Sequence, residues 1–311
     1  MKNYSIAIFG SSLRTDFDKY SDKDLLIVAE DYKSLEKLKA SYSKDNWSIS
    51  SYTYSKLEYL SKSGSLFIKH LQMESQIITD FNGRLKWILD DFNEKSNYKK
   101  DIEYCLNYFD ILKLVPNTPF GWAWFCDSFY VGLRNYLVFK NAEKKIFEFS
   151  FIKLLNNLKE SGNITSSDVK ILKELRVVKR NYREEVIDEL PSMNFIQKII
   201  PIAKSIGILE KVLIVDSSHF QKIIEKDIFR KQYNAYQRLR LIEGYYCSQE
   251  VNIPELKRII SNPQFYALKM KDDDLILKLM SDMKKRHTNK FTRNSGFSAI
   301  LKVNAFNKIQ C

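Results

Sequence analysis

Glycine and proline are scarce in this chain, nine and six among 311 residues. So few turn formers exclude a protein built from many tight hairpins and fit one made largely of helices. The four cysteines, Cys105, Cys126, Cys247 and Cys311, are scattered without a Cys-x-x-Cys pair, and the three histidines are equally dispersed. That removes a disulfide scaffold and leaves a structural zinc site without support. Cys105 and Cys126 fall in apolar helical sequence and fit core positions, in keeping with a reducing cytoplasm. No apolar run approaches the roughly 18 residues of a membrane span. A strand-like segment opens the sequence in place of a charged leader and apolar block, so no secretory signal is expected.

Carboxylates are outnumbered: 38 Asp and Glu against 50 Lys and Arg give a net charge of +12. A basic surface attracts polyanions and speeds their encounter. With 44% hydrophobic and 14% aromatic residues the chain has ample material for packed cores, which excludes intrinsic disorder. Its length suggests two or three domains.

The first thirty residues carry the strongest signal. An apolar run, Ile6-Ala7-Ile8-Phe9, ends in Gly10-Ser11-Ser12, and after a polar gap Ser21-Asp22-Lys23-Asp24 opens a second apolar run, Leu25 to Val28. On a strand, residues i and i+2 share a face, so Asp22 and Asp24 project side by side. Two carboxylates this close resist joint ionisation unless a cation neutralises them, and hard oxygen donors suit Mg²⁺ or Mn²⁺. Gly10 permits a tight turn and close ligand approach. Ser11 and Ser12 can open a short helix whose hydroxyls and N–H groups suit a phosphate.

Gly-Ser, about ten residues, then Ser-Asp-x-Asp-Leu between apolar strands resembles the signature of the DNA polymerase β-type nucleotidyltransferase superfamily, over roughly residues 5 to 80. The resemblance implies a metal-dependent transfer of NMP from an NTP, with Asp22 and Asp24 as metal ligands and catalytic groups and Gly10, Ser11 and Ser12 holding phosphates. Members usually bear a third carboxylate on a later strand. The corresponding run here, Trp47 to Tyr54, has Ser48 and Ser50 nearest that position and no acid. Glu58 and Glu74 are the nearest carboxylates outside it, and a second family glycine is replaced by Arg14.

The apolar spacing predicts a helix over 31–44, a strand over 47–54, then a helix N-capped by Ser55 with Glu58 completing a capping box. Residues 64–80 resemble the end of the nucleotidyltransferase core, a helix and a returning strand, with His70 a half-buried, hydrogen-bonded histidine. Beyond Arg84 strand signals almost vanish, and segments 97–115, 120–141, 144–160, 165–187 and 192–214 read as helices. The expected class is α+β, a small mixed sheet followed by a helical bundle. Domains are expected over 1–95, 96–215 and 216–311.

Arg176-Val177-Val178-Lys179-Arg180-Asn181-Tyr182-Arg183 makes a basic stripe, read as a solvated face or a phosphate-contacting one. It is similar to HEPN domains, but the histidine of their ribonuclease site is missing, which excludes that activity. In the last hundred residues cations alternate with aromatics. Arg230, Lys231, Arg238 and Arg240, then Lys284, Lys285 and Arg286 in a segment of loop-like composition, are candidate nucleic-acid contacts.

Two functional readings follow. One is a nucleotidyltransferase using NTP and Mg²⁺ or Mn²⁺ on a hydroxyl of RNA, such as tRNA, or of a partner protein. The other is a module of the same fold that has lost catalysis and binds nucleotide, nucleic acid or a partner protein, as in a toxin–antitoxin or phage-defence pair. The basic charge argues against the family's aminoglycoside adenylylation, whose acceptors are polycations. Cyclic-dinucleotide synthesis fits less well, since such enzymes generally keep all three acids.

Overall fold

The computed structural model describes residues 3–15, 23–42, 47–228, 232–261, 270 and 273–294, with backbone alone for 286–294. The N-terminal part is a four-stranded sheet with helices on both faces. Its elements are β1 (Tyr4–Phe9), β2 (Asp24–Ala29), α1 (Tyr32–Tyr42), β3 (Ser48–Thr53), α2 (Tyr54–Lys62), α3 (Leu66–Glu74), β4 (Ser75–Thr79) and α4 (Arg84–Asp90). The strand order is β3-β2-β1-β4. β1 pairs antiparallel with β2 and β4, whereas β2 and β3 run parallel, with α1 as the crossover a parallel pair requires.

Alternation along the strands divides the apolar residues between the two faces. Ile6, Leu25, Ile27 and Ala29 pack on Leu35 of α1. Ala7, Phe9, Leu26 and Val28 pack on Tyr54 and Leu57 of α2, Ile68 and Leu71 of α3, and Leu85 and Ile88 of α4. Asp24, two residues before Leu26, shares this second face at the end of the sheet. In register, Asp24 lies beside Phe9 on one side and Ser48 on the other, and Leu26 lies beside Ser50. The C-terminal end of β1 and the N-terminal ends of β2, β3 and β4 therefore meet at one end of the sheet.

Helix α2 starts differently from the reading of Ser55 as its cap. Thr53 is the N-cap, its hydroxyl accepting from the Lys56 N–H at 3.3 Å. Glu58 takes no part and pairs with Arg84 at 3.0 Å.

The rest of the chain is mostly helical: α5 (Lys99–Tyr108), β5 (Leu114–Pro116), α6 (Pro119–Ala142), α7 (Phe151–Glu160), α8 (Ser166–Glu184), α9 (Met193–Ile206), β6 (Leu213–Val215), α10 (Ser217–Asp227), α11 (Ala235–Cys247), α12 (Pro254–Ser261) and α13 (Asp274–Asn294). The molecule is thus α+β, a mixed sheet core followed by a helical region. Helix α6 is the pillar, burying Trp124, Phe125, Phe129 and Leu133 completely. Thr118 caps it through the Gly121 N–H, with Pro119 in its first turn. A capping box between Thr165 and Asp168 starts α8. One buried core joins Tyr98 to residues as distant as Leu239, Tyr245, Ile276 and Met283. Gly244 lets α11 lie against α6, since a Cβ there would sit 2.8 Å from the Trp124 indole.

Two differences from the sequence reading concern short or polar segments. Leu114–Pro116 and Leu213–Val215 pair as parallel strands, three residues each and too short for a period-two signal. The 284–293 stretch belongs to helix α13 despite its loop-like composition. Among the described residues no helix is long and apolar enough to cross a membrane.

Candidate functional site

Where the strand ends converge, Gly10 turns the chain out of β1 with φ +78°. The expected short helix is a single 3-10 turn, Gly10–Leu13. A Cβ on Gly10 would lie 3.0 Å from Asp24 Oδ2 and 3.8 Å from His70 Cε1, so the bare glycine backbone is flanked by a carboxylate and an imidazole. Gly10, Ser11 and Asp24 line one cavity of about 530 Å³. Ser12 is absent from its lining and hydrogen-bonds the Phe9 carbonyl at 3.4 Å. Asp22 lies outside the described residues.

Ser48 and Ser50 of β3 line the same cavity. Their register puts them on the face that carries Asp24, where the resemblance calls for an acid. Neither outside carboxylate replaces it. Glu58 is held by Arg84, which also pairs with Glu30. Glu74 accepts from Arg14 at 2.6 Å and lies 3.1 Å from His70 Nε2. Burial would raise the Glu74 pKa, but His70 and Arg14 more than offset this and hold it below the usual value. An ionised Glu74 only accepts, so Nε2 of His70 carries the proton and Nδ1 is left as an acceptor. Burial lowers the His70 pKa and keeps the ring neutral. The ring also stacks on Phe149, with centroids 4.5 Å apart, and so joins the sheet core to the helical region.

The opposite wall comes from helices far downstream in sequence. Tyr130 and Arg134 of α6 and Arg176, Lys179, Arg180, Arg183 and Glu184 of α8 line the cavity there, with Phe149 to Ile152 at the start of α7 and Ser261. Spacings of three and four put the α8 cations on one helical face. Counting Arg14, six Lys or Arg among the described residues line the cavity against two carboxylates, Asp24 and Glu184. Arg134 donates to the Phe149 carbonyl at 3.2 Å, and Lys179 lies 5.5 Å from the Tyr130 ring centroid. Arg180 pairs with Glu184 through both oxygens at 2.9 Å. The basic stripe therefore faces a partly open cleft, where its cations add to one positive field.

Arg183 is anchored from behind. Its Nε donates to Asp127 Oδ1 at 2.8 Å, and Asp127, fully buried on α6, has its other oxygen 2.9 Å from Arg240 Nη1. Arg240 also pairs with Glu243 at 2.9 Å and donates to Ser128. Burial would raise the Asp127 pKa, but Arg183 and Arg240 hold it below the usual carboxylate value. For Glu243 burial prevails, and its pKa is raised.

This network corrects one expected nucleic-acid contact. Arg240 is 1% exposed, and its guanidinium compensates core carboxylates instead of meeting solvent. The alternation of cations and tyrosines in this segment reflects a helix docked on α6, where Tyr245 is also buried. Arg238 is half-buried on α11, and Lys284 and Lys285 are exposed on α13. Arg230 and Lys231 lie outside the described residues, as does the Arg286 side chain. Arg238, Arg240, Lys284 and Lys285 do not line the cavity. Arg14, at the place of the second family glycine, does line it, and so does Arg134, which reaches the cavity through tertiary packing.

Among the described residues no three His, Cys, Asp or Glu side chains are grouped to hold a metal ion. The sheet side of the cavity offers Asp24 and the hydroxyls of Ser11, Ser48 and Ser50, with Asp22 two residues away in sequence. This is thin for a protein-only cage but fits a cation such as Mg²⁺, which commonly takes one or two carboxylates and fills its shell with phosphate oxygens and water.

Residues 1–113 match the family model described as a nucleotidyltransferase domain. Comparisons with curated proteins and with solved structures return no match. The N-terminal part of the chain belongs to the polymerase β-type nucleotidyltransferase superfamily.

Proposed function

We propose, for a chain whose N-terminal part is a nucleotidyltransferase domain, that the cavity binds a nucleoside triphosphate and that its NMP is transferred to a hydroxyl of RNA. The observation that carries this reading is the pairing of walls: Gly10, Ser11 and Asp24 on one side, five Lys and Arg of α6 and α8 on the other. A triphosphate and its transition state are rich in negative charge, and cations gathered on one wall of a cleft offset it.

In this reading the Gly10 turn allows the phosphates to approach the backbone closely, while Ser11 donates from its hydroxyl. Asp24 and Asp22 hold a divalent cation, Mg²⁺ or Mn²⁺, which when bound supplies charge neutralisation at the reacting phosphoryl group. The acceptor hydroxyl oxygen bonds to the α-phosphorus and gives its proton to water, the bond from the α-phosphorus to the oxygen it shares with the β-phosphate breaks, and pyrophosphate leaves. Arg14, Arg134 and the α8 cations neutralise the departing phosphates. An RNA acceptor agrees with the net charge of +12 and the exposed Lys284 and Lys285. Such a reaction draws on the cytoplasmic NTP pool.

A second reading, binding without transfer, is favoured by Ser48 and Ser50 at the place of the third acid and by the engagement of Glu58 and Glu74 elsewhere. A serine neither takes a proton near neutral pH nor adds charge to a metal site. Incubation with each α-³²P-labelled NTP, Mg²⁺ or Mn²⁺ and total RNA separates the two, with Asp24→Ala alongside. Label on RNA with the wild type only is the expected result. Label on protein would move the acceptor to a partner chain. Binding without label transfer would establish the second reading.

A further inference from the structure

We infer that Arg183 is the residue of this cavity that reads a polyphosphate, and that buried Asp127 is the positioning residue that aims it. The inference rests on the nucleotide reading of the cavity and adds the residue that distinguishes a triphosphate from a monophosphate.

Asp127 is 0% exposed on α6, and a carboxylate carried that deep is costly unless cations and hydrogen bonds surround it. Two arginines from different helices meet it. Arg240 of α11 is as buried as Asp127 itself, whereas the Arg183 side chain is 27% exposed and lines the cavity. A guanidinium is a planar fork of five N–H donors. Asp127 takes the Nε–H of Arg183, which sets the plane of the fork and leaves its two terminal nitrogens for an anion. Phosphate oxygens suit such a pair of donors well.

Preorganisation separates Arg183 from its neighbours on α8. Arg180 closes onto Glu184 of its own helix, and Lys179 is a point charge on a flexible stem. Arg183 is braced from the core, so little side-chain freedom is lost when it meets a ligand. Arg240, which is braced by Glu243 and Ser128 in turn, ties this aim to α11. Helix α11 thus bears on a cavity that it does not line.

The test is calorimetric titration of the full chain with ATP, AMP and tripolyphosphate, for the wild type, Arg183→Gln, Arg183→Lys and Asp127→Asn. For Arg183→Gln the expected result is a loss of tenfold or more for ATP and tripolyphosphate and less than threefold for AMP. Arg183→Lys keeps the charge and loses the fork, so it should recover only part of that loss. Asp127→Asn should weaken ATP at least threefold with Arg183 still present. If Asp127→Asn fails to fold, as circular dichroism would reveal, the two Arg183 variants decide the matter. ATP affinity within twofold of wild type in Arg183→Gln overturns the inference, and so do equal losses for ATP and AMP, the mark of a general structural defect. A wild type that binds none of the three ligands overturns the nucleotide reading itself.

Discussion

Among the described residues, the wall built by the sheet carries one cavity carboxylate, three serines (Ser11, Ser48 and Ser50) and a bare glycine turn, whereas the wall built by α6 and α8 carries five of the six cations. The sheet wall is organised by strand register: Phe9, Asp24 and Ser48 are neighbours because their strands pair in that order. The bundle wall is organised by packing and by buried charge, with Asp127 joining α6, α8 and α11. The division suggests that reacting-group geometry and charge compensation are separable properties, each held by a different part of the molecule.

Breaking the buried network should have the largest effect on stability. Asp127→Ala leaves two arginine side chains without their shared carboxylate and should cost about 3–5 kcal/mol of unfolding free energy. Asp24→Ala, at the mouth of the sheet, should cost less than about 1 kcal/mol and still abolish metal-dependent nucleotide chemistry. Urea unfolding of both variants checks the contrast, and comparable losses would break it.

Gly10→Ala comes next. The left-handed backbone at Gly10 costs an L-residue about 1–2 kcal/mol, and the new methyl would crowd Asp24 Oδ2. Thermal unfolding should show that loss, and nucleotide titration a weakened site. A smaller effect sharpens the comparison from the other side. Ser48→Asp sets a carboxylate beside Asp24 in register and should raise Mn²⁺ affinity on the order of tenfold. Manganese titration followed by electron paramagnetic resonance measures this, and unchanged affinity would remove Ser48 from the place of the missing acid.

The smallest effect is the pH response of His70, which links the two walls through Phe149. Burial lowers its folded pKa below the ordinary 6.5, so between those two values the unfolded chain binds the extra proton. Its stabilising contribution is full above about 6.5 and falls as pH drops through that window. The midpoint of thermal unfolding should therefore rise between pH 5.5 and 7.5, and His70→Gln should flatten this part of the rise.

The sheet wall was legible because its determinants are local. An apolar run, a glycine, a polar gap and an acidic pair lie within thirty residues, and alternation assigns their faces. The absence of an acid at Ser48 and Ser50 could be read equally early. By contrast, Arg134 and Arg183 become site residues only through helix packing, and nothing in the spacing of 176–183 distinguishes a cavity face from a solvated one. Arg240 shows the same limit in reverse. Cations among tyrosines suit a nucleic-acid surface and a buried ion network alike, and what decides is Asp127, 113 positions away in sequence. Capping at Thr53 in place of Ser55 was ambiguous because both residues offer a hydroxyl to the first turn.

Photocrosslinking with 8-azido-ATP and γ-anilide azido-ATP examines the claim that one nucleotide touches both walls at once. The claim predicts labelled peptides from both the 3–15 or 23–42 region and the 166–184 helix, with labelling abolished by excess ATP. Labelling confined to the sheet core, or to a peptide remote from the cavity, would contradict it.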